Sequence, residues 1–100
     1  MAYKIIWTER ASDDLRAIVR YISRHNPAAA EAMGYGIYDR VQILVEFPES
    51  GGMLREFHDP DWRHLIFRNY RIVYHLNRES KAVEIIRIWH AARGDVELNP

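Results

Sequence analysis

The chain has no cysteine, no long apolar run and no net charge. Each absence excludes something. Without Cys there is no disulfide scaffold, no thiol nucleophile and no Cys-based zinc site. The longest apolar runs are a few residues, far short of the roughly 20 that span a bilayer. The opening Met1 to Glu9 places Lys4 ahead of any long apolar stretch and lacks a signal-peptide layout. These features lead us to expect a cytoplasmic protein with no membrane partner. No P-loop, GxGxxG, GxSxG or HExxH motif occurs, and no internal repeat, low-complexity segment or linker interrupts the chain.

What is present is a chain of 100 residues that is 48% hydrophobic. That length and composition suit one domain, residues 1–100, with a single core. The neutral total hides an uneven distribution. Residues 1–61 carry seven basic and ten acidic side chains, net −3. Residues 62–93 carry seven basic and two acidic, net +5, and Asp95 and Glu97 then make the last seven residues acidic. Arg supplies 12 of the 14 cations. Arg is suited to bidentate grips on carboxylate or phosphate. Neutrality therefore argues against a strongly basic nucleic-acid binder only until the charges are located.

Periodicity predicts the elements. Tyr3 to Trp7 is rich in β-formers and reads as a first strand. Thr8 suits an N-cap, and Ala11, Leu15, Ile18, Val19 and Ile22 follow at helical spacing, predicting a helix from about Glu9 to about Arg24. Asn26-Pro27 restarts a helix whose apolar stripe is Ala30, Met33, Ile37, Val41 and Leu44, ending just before Pro48. Gly34 and Gly36 weaken this second helix and suggest close approach of the first. Ser50-Gly51-Gly52 and His58-Asp59-Pro60-Asp61 read as turns. Trp62–Phe67, Tyr70–Leu76 and Ala82–His90 then read as three strands joined by tight turns. The expected fold is α+β, strand-helix-helix-strand-strand-strand. A helical hairpin packs on one face of a small, mainly antiparallel four-stranded sheet, leaving the other face open.

Several residues carry chemistry. Alternation puts Arg71, Val73 and His75 on one side of their strand, and Arg87 and Trp89 on one side of theirs. With Arg63 they are expected to assemble a basic patch on the open face. A mid-strand Arg is costly to bury, so Arg71 is read as a surface or partner-binding residue rather than an internal ion pair. Trp62 and Trp89 are read as packing residues. His90, at the end of the last strand and followed by Arg93, suits acid–base work on an RNA 2′-OH if Arg residues hold the phosphate, against the plainer reading of a strand-end cap. His58, Asp59, Asp61 and His64 read as a solvated turn, so no metal site and no cofactor are expected.

The residues also resemble a known family. Trp7-Thr8-Glu9-Arg10-Ala11 with Asp14-Leu15 and Tyr21-Ile22 is similar to the opening of ParE-like toxins of the RelE/ParE superfamily, the plasmid-stabilisation proteins. So are Phe47-Pro48, Gly51-Gly52 and Arg55-Glu56-Phe57. The strongest part runs from Arg63-His64-Leu65 through Tyr70-Arg71-Ile72-Val73-Tyr74 to Ile88-Trp89-His90-Ala91-Ala92-Arg93. The resemblance implies the toxin of a type II toxin–antitoxin module, bound by an antitoxin whose disordered segment folds over it, in a possible hetero-oligomer. ParE-type members poison DNA gyrase; RelE-type members cut mRNA in the ribosome. Arg71 and His90 match positions used by RNase relatives. The lysines those enzymes place on the second strand are missing from Trp62-Arg63-His64-Leu65, as is a C-terminal tyrosine at Asp95-Val96-Glu97-Leu98.

The incomplete set leans to the ParE branch, a gyrase inhibitor with Arg63, Arg71, Arg87 and Arg93 as target contacts. The alternative is a ribosome-dependent endoribonuclease with Arg71, Arg87 and His90 catalytic. A third reading is a non-toxic antitoxin-binding relative. Antitoxin contacts are expected on the helical hairpin and the groove beside the sheet, at Leu15, Ile22, Ile37 and Val41, and at Arg71 and Arg87. The helix acids Asp13, Asp14, Glu31 and Asp39 either meet a basic partner there or are ordinary solvated residues.

Overall fold

The first strand, β1 (Lys4–Trp7), leads directly into helix α1 (Glu9–Ser23), and Thr8 makes the junction. Its side chain accepts the Ala11 N–H and its hydroxyl donates to the Ile85 carbonyl at 2.7 Å, so the helix start is tied to the sheet. Asn26 caps α2 (Pro27–Gln42), with Pro at the first turn where no N–H is needed. The strands β2 (Gly52–Met53), β3 (Trp62–Phe67), β4 (Tyr70–Asn77) and β5 (Ala82–His90) follow, and a 3-10 turn at Ala91–Arg93 leads into the tail. This computed structural model describes residues 2–98.

The α+β layout agrees with the sequence reading, with two corrections. The sheet has five strands, ordered β1-β5-β4-β3-β2, not four. The extra strand is the two-residue β2, which pairs Gly52 with His64 and Met53 with Arg63. Two residues show no alternation, so the Ser50-Gly51-Gly52 turn signal masked it. Helix α2 also stops at Gln42 and tightens into a 3-10 turn at Ile43–Val45 rather than running on toward Pro48. β1 is parallel to β5, and every other pairing is antiparallel.

Both helices lie on one sheet face. Ala11, Met33, Ile37, Val41 and Leu44 meet Leu65, Ile72, Tyr74, Leu76, Val83, Ile85 and Ile88 there. The opposite face, expected to be open, is partly covered. Leu54, Val73, Trp89 and Val96 form a second small core, with Phe57, Trp62, Ile86 and Leu98 packed around it. The loop after β2 and the tail after β5 supply this cover.

The glycines of α2 divide their work. Gly34 faces Val19 of α1, as the spacing suggests. Gly36 instead sits under the Phe67 ring of β3, where a Cβ would overlap the ring. Gly51 is hemmed in by the His64 carbonyl and the Tyr74 hydroxyl, each 2.6 Å from where its Cβ would stand. That hydroxyl accepts the Gly51 N–H and donates to the Pro48 carbonyl. Gly51→Ala is therefore expected to cost about 1–3 kcal/mol by overpacking, and at Gly36→Ala the same cost is expected to exceed the gain of about 1 kcal/mol in helix propensity. Urea denaturation of the two variants checks both.

Candidate functional site

The candidate residues lie on β4 and β5, and register decides which of them meet. Arg71 stands opposite Trp89 and Val73 opposite Arg87. A bulge follows, because Tyr74 pairs with Ile85 and leaves Ile86 without a counterpart. Ile86 and Arg87 thereby both reach the tail-covered face, with Arg71, Val73 and Trp89. Tyr70 stands opposite His90 on the helix face, their rings edge to face with centroids 5.1 Å apart. Arg71 and Arg87 are thus on one side of the sheet and His90 on the other.

Neither strand arginine is free. Arg71 is 8% exposed and binds Glu56 through both ends of its guanidinium, Nη1 to Oε2 at 2.8 Å and Nη2 to Oε1 at 3.2 Å. Its Nη2 also reaches His64 Nδ1 at 3.2 Å. Arg87 is 4% exposed and binds Asp14 of α1 through its Nε and Nη2, at 2.7 and 3.3 Å. The surface role expected for Arg71 gives way to an internal ion pair, and Arg87 follows it. Each buried guanidinium has a carboxylate within hydrogen-bonding reach, which offsets the desolvation cost that argued for exposure.

These pairs also hold the tail. Glu56 Oε2 accepts the Val96 N–H at 2.8 Å, Arg87 Nη1 donates to the Glu97 carbonyl at 2.7 Å, and Trp89 Nε1 donates to the Gly94 carbonyl at 3.0 Å. Gly94, with φ of +82°, turns the chain back over the sheet. The Arg71 hydrogen bonds hold the Glu56 carboxyl down at about 2; burial opposes them and the Val96 N–H adds to them. Burial first, and then the Arg71 charge, push the His64 imidazole below its ordinary value. His64 is consequently neutral, with Nδ1 as an acceptor for Arg71.

Arg63 spends its guanidinium on the Pro60, Glu49 and Gly51 carbonyls, at 2.8, 3.2 and 2.9 Å, and pins the loops on either side of β2. Arg93 is exposed, with its guanidinium 4.0 Å above the Trp89 ring. Of the four expected target contacts, only Arg93 presents an uncommitted cation. His58, Asp59, Asp61 and His64 do not converge: Asp61 pairs with Arg78, and His64 with Arg71. Among the described residues no three His, Asp or Glu side chains gather to hold a metal ion.

On the hairpin, Ile37 and Val41 are fully buried in the core and offer no surface to a partner. Leu15 and Ile22 are half-buried. Leu15 and Val19 of α1 face Ala30, Gly34, Tyr35 and Tyr38 of α2 across an apolar groove of about 420 Å³, with Glu31 on its rim. Tyr35 is 65% exposed and Tyr38 52%. Sequence reasoning missed this pair and the two carboxylate partners. Asp14 had a signal: it sits three residues after Ala11 and four before Ile18, on the apolar stripe. Glu56 lies in a loop, where no period exists to expose its role.

Comparison with known proteins places these features in a family. A model described as the ParE toxin of the type II toxin–antitoxin system parDE matches residues 5–94. Toxin RelE2 of Caulobacter vibrioides is 35% identical over 94 residues, covering 90% of this chain and 97% of that protein. Among solved structures, the chromosomal ParDE system from P. aeruginosa has a TM-score of 0.74 at 22% identity, covering 89% of this chain and 96% of that one. The toxin–antitoxin complex RelBE2 from Mycobacterium tuberculosis has a TM-score of 0.58 at 22% identity, covering 90% and 99%. The structural likenesses establish a shared fold, and the match over residues 5–94 carries the assignment: the chain belongs to the ParE toxin family of type II toxin–antitoxin systems.

Proposed function

We propose that this toxin acts without cleaving RNA, by inhibiting DNA gyrase, and that a cognate antitoxin neutralises it, in the manner of a plasmid-stabilisation module. One observation carries the non-nucleolytic part. The three residues a nuclease would combine are each held elsewhere: Arg71 is ion-paired to Glu56 under the tail, Arg87 reaches round the free edge of β5 to Asp14 of α1, and His90 stands on the helix face against Tyr70. General acid–base catalysis needs its groups within hydrogen-bond reach of one scissile site. A phosphate there would also have to displace two carboxylates already at 2.7–2.8 Å. The gyrase target itself is supported by membership of the ParE family and by the missing lysines and tyrosine.

The antitoxin docks, on this reading, along the apolar groove between α1 and α2, where Tyr35 and Tyr38 supply exposed anchors for an amphipathic segment. Purified toxin is expected to block plasmid supercoiling by gyrase, and added antitoxin to restore it. A translating-ribosome assay is expected to show no mRNA cleavage. The competing endonuclease reading draws on the name of the Caulobacter relative, Toxin RelE2. Ribosome-dependent cutting that is lost in His90→Ala establishes it instead. Viable high-level expression of the toxin alone favours a non-toxic antitoxin binder over both.

A further inference from the structure

Where β5 ends, the helix side of the sheet opens into a pocket of about 260 Å³ between α1 and the ends of β4 and β5. Ala17, Ile18 and Ile88 give it an apolar lining. Its one carboxylate, Asp14, is already engaged by Arg87 and by the Ile88 N–H. Four other polar side chains line it: the exposed Tyr21, and His90, Tyr70 and Arg93. His90 Nδ1 accepts the Ala92 N–H, which leaves the proton of the neutral ring on Nε2. The Tyr70 hydroxyl hydrogen-bonds no other described residue, and burial raises its pKa, so it stays a donor. Arg93 pairs with no carboxylate among the described residues and is steadied over Trp89.

The pocket therefore offers an imidazole N–H and two phenol O–H groups beside an apolar lining, with the Arg93 guanidinium at its margin over Trp89 and no unspent acceptor charge. We propose that it receives an acidic side chain, Asp or Glu, from the antitoxin segment that folds over this toxin. The assignment rests on the proposed toxin function in one respect, that an antitoxin binds this chain. Charge complementarity selects the occupant. One free guanidinium matches one carboxylate, and a planar guanidinium binds it through two hydrogen bonds. A nucleic-acid backbone is a poorer match, because its affinity comes from several cations acting together. The apolar lining suits the aliphatic carbons that precede a Glu carboxylate.

The test measures affinity of the purified chain for its cognate antitoxin by calorimetry at two or more salt concentrations. Arg93→Gln is expected to weaken binding at least tenfold and to flatten its salt dependence, and Arg93→Lys to retain part of the affinity. Tyr70→Phe removes one donor without touching the Arg93–Trp89 stack and is expected to weaken binding several-fold. It decides the matter if Arg93→Gln lowers the melting temperature. Each acidic residue of the antitoxin segment is then changed to its amide. One such change is expected to cost nothing further against Arg93→Gln, the signature of a direct pair. Binding within twofold of the original for both toxin variants overturns the proposal, as does full additivity of every antitoxin change. Loss of binding to a single-stranded RNA oligonucleotide in Arg93→Gln, with antitoxin affinity intact, also overturns it. Failure of the unaltered chain to bind the antitoxin at all is a different result, which removes the toxin reading and this assignment with it.

Discussion

Asp14→Ala is expected to lower the unfolding free energy by about 3–5 kcal/mol, the cost of leaving a buried ion without its partner. The Asp14 side chain is 14% exposed and that of Arg87 5%, so water entering from the pocket Asp14 lines replaces the lost carboxylate only in part. The same change removes the acceptor for the Ile88 N–H and loosens α1 from β5. In a domain of this size each kcal/mol moves the melting temperature by about 4–8 °C, so thermal unfolding resolves the effect easily. The double variant Asp14→Leu with Arg87→Met is expected to recover most of the loss, because well-packed apolar residues often match a buried ion pair in stability. Recovery of fold together with toxicity in that double variant confirms that Arg87 is structural. Recovery of fold without toxicity assigns Arg87 a part in the activity and contradicts its purely structural role.

Acid is expected to release the C-terminal tail. The Glu56 carboxyl lies at about 2 in the folded protein against an ordinary 4.5. A carboxyl lowered on folding adds stability that is complete above the ordinary value. The contribution is lost as pH falls from about 4.5 towards about 2. It amounts to at most about 3 kcal/mol, less wherever water screens the pair. His64 acts in the same sense, since its pKa is lowered on folding and protonation below its ordinary 6.5 favours the unfolded chain. Because Glu56 also holds the Val96 N–H, Trp89 beneath the tail reports its release. Trp fluorescence is expected to change in this acid window before far-ultraviolet circular dichroism does. In Glu56→Gln that early fluorescence step should be absent, with stability at neutral pH reduced by up to about 3 kcal/mol. An unchanged acid profile in Glu56→Gln contradicts the assignment of the latch to this carboxylate.

The elements are legible in the sequence because their signals are local. Thr8 and Asn26 announce helix starts through the hydrogen bonds their side chains make three residues on. The stripes Ala11–Leu15–Ile18–Ile22 and Met33–Ile37–Val41–Leu44 carry the helical period, and the β-branched runs of β4 and β5 carry strand propensity. Arg71 shares a side of its strand with Val73, and Arg87 with Trp89, as expected, since alternation depends on backbone geometry alone. What lies against those sides is a long-range matter. Glu56 is 15 residues from Arg71, Asp14 is 73 from Arg87, and the tail contacts skip over a turn at Gly94.

The amino-acid sequence by itself determined the order of elements, the helical hairpin, the meander of β3, β4 and β5, the uneven charge and the family resemblance. Each is written in neighbours a few residues apart or in patterns along one element. Only the tertiary structure decided that the supposed open face is roofed by Leu54 and Val96. It alone showed that Arg71 and Arg87 are neutralised, that Arg63 serves its own loops, and that His90 stands on the helix face against Tyr70. The physical reason is the cost of burying charge. A guanidinium enters a protein interior only where a carboxylate meets it, and folding, not sequence spacing, brings the two together. The neutral charge total of the chain reflects this in part: two cations of its basic third are balanced by two anions of its acidic front inside the fold.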